Sequence, residues 1–239
     1  MYKYFVSVNT GAYHKEHGME CEDVALVEER NGILCAALAD GASCAIHGRK
    51  GADLACRAAV DYMLYPGRFN QLFYETEQSN AKLEILVYIR AYMSQYIQTD
   101  DNLNSLEDYD TTISALCLDN DGNYLYLQLG DAMAFIADAC TAKLLCGRTH
   151  EVIKNTTDLI SGSQFASRSR LFRGRCLQKD TTFFLATDGA LDVVSENGLK
   201  CASGIDELIR AFRCVELEQA LIRSKPVDDF SFIVIQRSI

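Results

Sequence analysis

The stretch Thr112–Asp138, TISALCLDNDGNYLYLQLGDAMAFIAD, decides the fold class. It holds three short runs rich in β-branched, aromatic and aliphatic residues: Thr112–Leu118, Tyr124–Leu129 and Ala132–Asp138. Asn120-Asp121-Gly122-Asn123 between the first two reads as a hairpin turn, and Leu129-Gly130-Asp131 makes a second sharp connection. No helix intervenes, so the three runs predict an antiparallel meander.

Further strands are expected at Lys3–Val8, Val24–Glu28, Ile33–Ala39, Thr182–Thr187 and Phe230–Gln236. Helices are expected at His47–Leu64, Asn80–Gln98, Ile205–Phe212 and Leu217–Arg223. The first helix is dense in alanine (Ala52, Ala55, Ala58, Ala59), which allows close approach to a sheet. In the second, Leu83, Leu86, Val87, Arg90 and Ala91 recur at the spacing of one helical face. Helices fall between groups of strands and do not alternate with them. This favours an α+β protein with antiparallel sheets covered by helices over a doubly wound parallel fold. No linker, repeat or low-complexity tract divides residues 1–239, so a single domain is expected, with one elaborate loop region from Gly147 to Arg175.

Composition narrows the function. The 239 residues are 49% hydrophobic and carry a net charge of −10, from 33 Asp and Glu against 23 Lys and Arg. That fits a packed globular chain, and its acidity argues against a dedicated nucleic-acid binder. The start, MYKYFVSVNTGAYHKEHG, reads as a strand and not as a signal peptide. No window approaches the ~20 apolar residues of a membrane span. The ten cysteines include no C-x-x-C pair, and Cys35, Cys56 and Cys117 sit in apolar runs. They are expected to be reduced small hydrophobes of a cytoplasmic protein.

Acidic residues cluster at strand ends. Glu22-Asp23 precedes VALVEE, Asp40-Gly41 ends GILCAALAD, and Gly130-Asp131 ends NYLYLQLGD. Asp188-Gly189 ends TTFFLATD, and Asp228-Asp229 precedes FSFIVIQ. In antiparallel sheets, the start of one strand and the end of its neighbour share an edge, so these five acidic positions can meet at one rim. Converging carboxylates repel one another and need neutralising partners. Mg²⁺ or Mn²⁺, with their preference for oxygen ligands, supply that charge. Glycine after Asp40 and Asp188 permits a tight turn. Asp-Gly is equally a common turn dipeptide, so any one of these sites alone also reads as an ordinary solvated loop.

The ordered set GAYHKEHGMECEDVALV, LADGASCAIHGRKGADLA, TTISALCLDNDGNYLYLQLGDAMAF, FFLATDGALDVV and VDDFSFIVI resembles the metal-dependent serine/threonine protein phosphatases of type 2C, particularly compact bacterial members. The resemblance implies a four-layer α/β/β/α sandwich of two antiparallel sheets flanked by helices. It implies two Mn²⁺ or Mg²⁺ ions, with a weaker third. Asp40 would bridge the two ions and act in catalysis, the Gly41 carbonyl would bind the second, and Asp188 and Asp228 would hold the first. Glu22 would act through metal-bound water with Asp23 close behind. Asp131 would join Asp188 at the third site, with Asp229 supporting the ligands. A hydroxide bridging the ions would attack phosphoserine or phosphothreonine in phosphoprotein substrates, opposite a Ser/Thr kinase, in a monomeric cytoplasmic enzyme without nucleic-acid or membrane partners.

Many relatives grip the phosphate with an arginine four residues before the glutamate, where this chain has Gly18. His14 and His17 are the nearest substitutes, and His14 can bind phosphate or donate a proton to the leaving oxygen. Exposed loop histidines are the alternative. From Gly147 to Leu177, Arg148, Lys154, Arg168, Arg170, Arg173 and Arg175 outnumber Glu151 and Asp158. By the resemblance this is a variable flap at about residues 147–177, and its arginines, Arg168 and Arg170 among them, would guide phosphorylated or acidic substrates; solvated loop charges paired with the acidic remainder of the chain are the alternative. Loss of the gripping arginine also permits a catalytically weak or silent domain that binds phosphoproteins.

Overall fold

The structure is a computed structural model and describes residues 1–100, 104–146, 157–176, 178, 180–196, 200–202 and 204–238. Two five-stranded antiparallel sheets stack face to face. Sheet one has the order β1 (Tyr2–Asn9), β12 (Phe230–Arg237), β9 (Thr182–Ala186), β6 (Met133–Ala137), β7 (Ala142–Cys146). Sheet two runs β2 (Asp23–Arg30), β3 (Ile33–Asp40), β4 (Ile113–Asp119), β5 (Asn123–Leu129), β8 (Arg170–Arg175). A two-residue ladder, β10 (Ser195–Glu196) with β11 (Lys200–Cys201), stands apart.

The central strands read as continuous apolar runs because both their faces are covered. In β3, Cys35, Ala37 and Ala39 face the helices α2 (Gly48–Met63) and α4 (Gln78–Asp100), while Leu34, Ala36 and Leu38 face the other sheet. The short helices α1 (Ala12–His17), α3 (Arg68–Asn70), α5 (Phe165–Arg168) and α6 (Leu191–Val194) lie in connections. The outer face of sheet one is covered by α7 (Ile205–Arg210) and α8 (Cys214–Ser224), through Ile209, Leu217 and Leu221 against Phe135, Phe184 and Phe232. Cores therefore lie on the outer side of each sheet and between the sheets, which makes the four-layer sandwich. Cys35, Cys56 and Cys117 are fully buried on the α2 side.

Several expectations need correction. The meander ends at β5: β4 and β5 pair, but β6 belongs to the other sheet, between β9 and β7. Gly130, with φ of +110°, turns the chain from one sheet to the other, a conformation open mainly to glycine. Local pattern alone cannot tell a hairpin from such a crossing, because strands in both sheets are apolar. The expected flap also contains β8, which pairs with β5 from Asn123↔Arg175 to Gln128↔Arg170. Its arginines mask the alternation by which Leu171 faces the helices and Phe172 the opposite sheet. Residues 147–156 and 177 lie outside the described residues. On α4, the buried face is Ala81, Ile85, Leu86, Ile89 and Met93, whereas Leu83 and Val87 are exposed. The helix is apolar on two sides, so counting periodic residues selected the wrong one. α1 and β7 are additional elements.

Gly51 sets how closely α2 approaches the segment carrying Tyr109. A Cβ there would lie 1.9 Å from the Tyr109 carbonyl oxygen. Gly51→Ala gains ~1 kcal/mol of helix propensity but overpacks against backbone at a cost of about 1–3 kcal/mol. The clash is with a carbonyl that cannot rotate away, so a net loss of stability is expected, seen as a lower urea midpoint. A midpoint above that of the wild type would show that the contact is not there.

Candidate active site

The strand ends meet at one rim. Asp23 and Asp40 stand opposite each other at the β2 start and the β3 end. Asp188 follows β9, and Asp228-Asp229 precedes β12, on the neighbouring sheet. Asp131 sits on the turn that carries the chain from β5 to β6. A cavity of about 400 Å³ opens among them, lined by Glu22, Asp40, Asp131, Asp188, Asp228 and Asp229, with His14, Gly41 and Thr112.

Backbone contacts hold these ends in place. The Thr112 hydroxyl accepts the Asp40 N–H at 3.0 Å, and the Thr112 N–H donates to the Asp40 carbonyl at 3.0 Å. The glycines of both Asp-Gly pairs are needed for close approach. A Cβ on Gly41 would stand 2.3 Å from the Gly48 carbonyl carbon, and one on Gly189 would stand 1.9 Å from the Asp229 carbonyl oxygen. Side chains larger than hydrogen would push the acidic loops apart.

Asp229 acts as a brace. It is 3% exposed. One oxygen accepts the Gly11 N–H at 2.7 Å, while the other accepts the Glu22 N–H at 2.6 Å and meets His14 Nδ1 at 2.8 Å. Asp23 ties the sheets together: its Oδ2 accepts the Thr187 hydroxyl at 2.9 Å. Burial pushes the Asp23 carboxyl up to about 7, against the pull of the Ser231 and Thr187 hydroxyls. Burial also pushes Asp40 well above the carboxylate range, reinforced by Asp23, Asp188, Asp228 and Asp131. Glu22 is raised by burial too, with His14 opposing the shift.

The expected residues separate into those the fold gathers and those it leaves elsewhere. His14 is a buried helical residue on the cavity wall, not a loop histidine in water. His17 is exposed, with Nδ1 at the Tyr13 carbonyl, and does not line the cavity. Arg168 stands 3.7 Å from Asp158 and bonds Gln164, and Arg170 reaches Cys146 Sγ at 3.8 Å. Arg173 is turned towards the Thr76 carbonyl. None of these arginines lines the cavity. The segment expected as a flap instead contributes Thr157, whose hydroxyl donates to Asp131 at 2.9 Å, and Leu159. Asp110 anchors that segment by accepting the Ser161 N–H and hydroxyl. Thr112, Thr157, Thr187 and Asp110 were missed, because single hydroxyls and a loop acid carry no spacing signal.

Among the described residues, no three His, Cys, Asp or Glu side chains already stand gathered as a closed ligand cluster. The carboxylates are held on strand ends, around a cavity to which no Lys or Arg among the described residues contributes. A donor set of oxygens that raise one another's pKa fits hard divalent cations.

The protein phosphatase 2C family model matches residues 10–223. The Mycobacterium tuberculosis serine/threonine phosphatase PstP/Ppp superposes with a TM-score of 0.70 at 15% identity, over 100% of this chain and 99% of that one. The catalytic domain of PstP in complex with two manganese ions gives 0.69 at 16% identity, over 100% and 99%. Stp1 from Staphylococcus aureus, a serine/threonine phosphatase, gives 0.68 at 16%, over 99% and 95%. At these identities the likeness is one of fold. No curated protein sequence matches the chain. The family match runs from the residue before Gly11 of the Asp229 brace into α8, over a sandwich shared with solved phosphatases, and the chain belongs to the protein phosphatase 2C family.

Proposed function

We propose that this protein is a divalent-metal-dependent phosphatase that hydrolyses phosphoserine and phosphothreonine in proteins, opposite a Ser/Thr kinase. The observation that supports this is one cavity with six acidic residues, and no Lys or Arg among the described residues, on its wall, in a chain of this family. Asp40, Asp188, Asp228, Glu22 and the Gly41 carbonyl would hold two Mn²⁺ or Mg²⁺ ions, and Asp131 would serve a third. Bound there, the ions supply positive charge against the phosphoryl oxygens and acidify water as the nucleophile. His14 is fixed by Asp229 through Nδ1, which leaves Nε2 to hold the phosphate or to hand a proton to the departing serine or threonine oxygen. Asp229 and Asp23 act through position, as braces for Glu22, His14 and the β9 end. No described helix is long and apolar enough to cross a membrane.

The absence of an arginine or lysine among the described residues that line the cavity favours one second reading, a domain that binds phosphoproteins without turnover. Mn²⁺-dependent binding of a phosphopeptide without phosphate release by the wild type identifies it.

Asp40→Asn is expected to lower Mn²⁺-stimulated release of phosphate from a phosphoserine peptide at least 100-fold, with the fold retained by circular dichroism. Full metal-stimulated activity in that variant refutes the mechanism. The buried carboxyls give a separate readout. Asp23 has a folded pKa of about 7, above its unfolded 3.8, so the folded state binds the proton more tightly. Its stabilising effect is complete at low pH and is lost as pH rises through about 7. The melting temperature of chelator-treated protein should therefore fall between pH 5 and 7.5, and Asp23→Asn should flatten that slope. Added Mn²⁺ should raise the melting temperature more at pH 7.5 than at pH 5. An equally steep slope in Asp23→Asn overturns the assignment.

A further inference from the structure

Between the two sheets, Ser114, Tyr126 and Gln128 are each 0% exposed. Ser114 Oγ and Tyr126 Oη are 2.9 Å apart, and Tyr126 Oη donates to Gln128 Oε1 at 3.5 Å. Gln128 Nε2 then donates to two carbonyls, Gly130 at 3.2 Å and Ala132 at 2.5 Å. Those carbonyls belong to the residues on either side of Asp131. A buried amide is costly unless its hydrogen bonds are made, and here both N–H donors are spent on one turn. A primary amide has two donors on one nitrogen, so a single side chain fixes the peptide that enters Asp131 (Gly130–Asp131) and the Ala132–Met133 peptide just beyond it.

The same turn is set against Asp40. A Cβ on Gly130 would lie 2.6 Å from Thr112 Cγ2, so the turn packs directly on the threonine that grips the Asp40 backbone in both directions. Gln128 thus acts at the point where the chain leaves sheet two for sheet one, and where the carboxylate of the crossing turn faces that of β3.

We propose that Gln128 is a positioning residue for the metal centre: its buried amide clamps both carbonyls flanking Asp131 and so sets the Asp131 carboxylate against Asp40. The inference rests on the reading of Asp131 as a metal-holding residue. Supporting residues of this kind typically contribute about 10–100-fold to metal affinity. Gln128→Met keeps the volume and removes both donors. Ser114→Ala removes the distal partner of Tyr126 and leaves both amide bonds to the turn.

The test is Mn²⁺ titration by calorimetry on the full chain, with thermal melts alongside. Asp131→Asn should abolish the weakest Mn²⁺ binding event. Gln128→Met should weaken the same event about 10-fold or more, and in the Gln128→Met/Asp131→Asn double variant it should add no further loss, since the two residues act as one unit. Ser114→Ala should lower the melting temperature while keeping the wild-type Mn²⁺ affinity. If Gln128→Met does not fold, Gln128→Asn, whose shorter amide cannot span both carbonyls, carries the same expectation. Wild-type Mn²⁺ affinity in the Gln128 variant overturns the inference, as does an equal loss in Ser114→Ala. If Asp131→Asn itself leaves every binding event unchanged, the metal reading of Asp131 fails and the inference fails with it. If Asp131→Asn acts and Gln128→Met is silent, the inference fails alone.

Discussion

One buried carboxylate organises this molecule. Asp229 gathers the Gly11 N–H and the His14 ring from the start of α1 and the Glu22 N–H from the residue before β2. Hydrogen bonds to a charged group contribute about 1.5–3 kcal/mol each, and here they are made where solvent is excluded. The brace ties the residue before β2 to the residue before β12, alongside the bond from the Gly41 N–H to the Glu22 carbonyl. Asp23 does the complementary work across the sheets by meeting the Thr187 hydroxyl. Both aspartates help decide where the carboxylates that line the cavity stand.

The arrangement stores electrostatic tension. Asp40 is pushed up by burial and by four neighbouring aspartates, and Glu22 is pushed up as well. A rim of this kind is poorly adapted to holding its own charges, and well adapted to an external cation that relieves them. The close backbone approaches at Gly41 and Gly189 prevent the rim from relaxing by spreading. Rigidity and repulsion thus act together: the fold keeps the carboxylates near one another although their charges oppose it.

Much of this was legible in the sequence, for identifiable reasons. The apolar runs of β3, β4, β9 and β12 carry their identity locally, because strands buried on both faces need no partner to be recognised. The acids that end or precede those runs marked the rim for the same reason. What was not legible depends on tertiary context. β8 was hidden by Arg170, Arg173 and Arg175; Arg173 reaches the Thr76 carbonyl just before α4 and Arg170 the Cys146 sulfur on the other sheet, partners that no local pattern reveals. The helical face of α4 was misread because Leu83 and Val87 are as apolar as the buried Ile85 and Ile89. The crossing at Gly130 looked like a hairpin, and its destination is fixed only by β9. His14 became a buried cavity residue through Asp229, which lies 215 positions away in the chain.

The placement of β12 bears on how such a protein is made. That strand lies between β1 and β9 and pairs with β1 from Tyr2↔Arg237 to Asn9↔Phe230. During synthesis, Glu22, Asp40, Asp131 and Asp188 all emerge before the strand that joins sheet one and before the aspartate that braces the rim. A chain without residues 228–237 keeps most of its acidic rim, but among the described strands β1 then has no neighbour in its sheet. The rim therefore assembles late, as a latch drawn by β12, which brings β1 and the Asp229 brace onto β9.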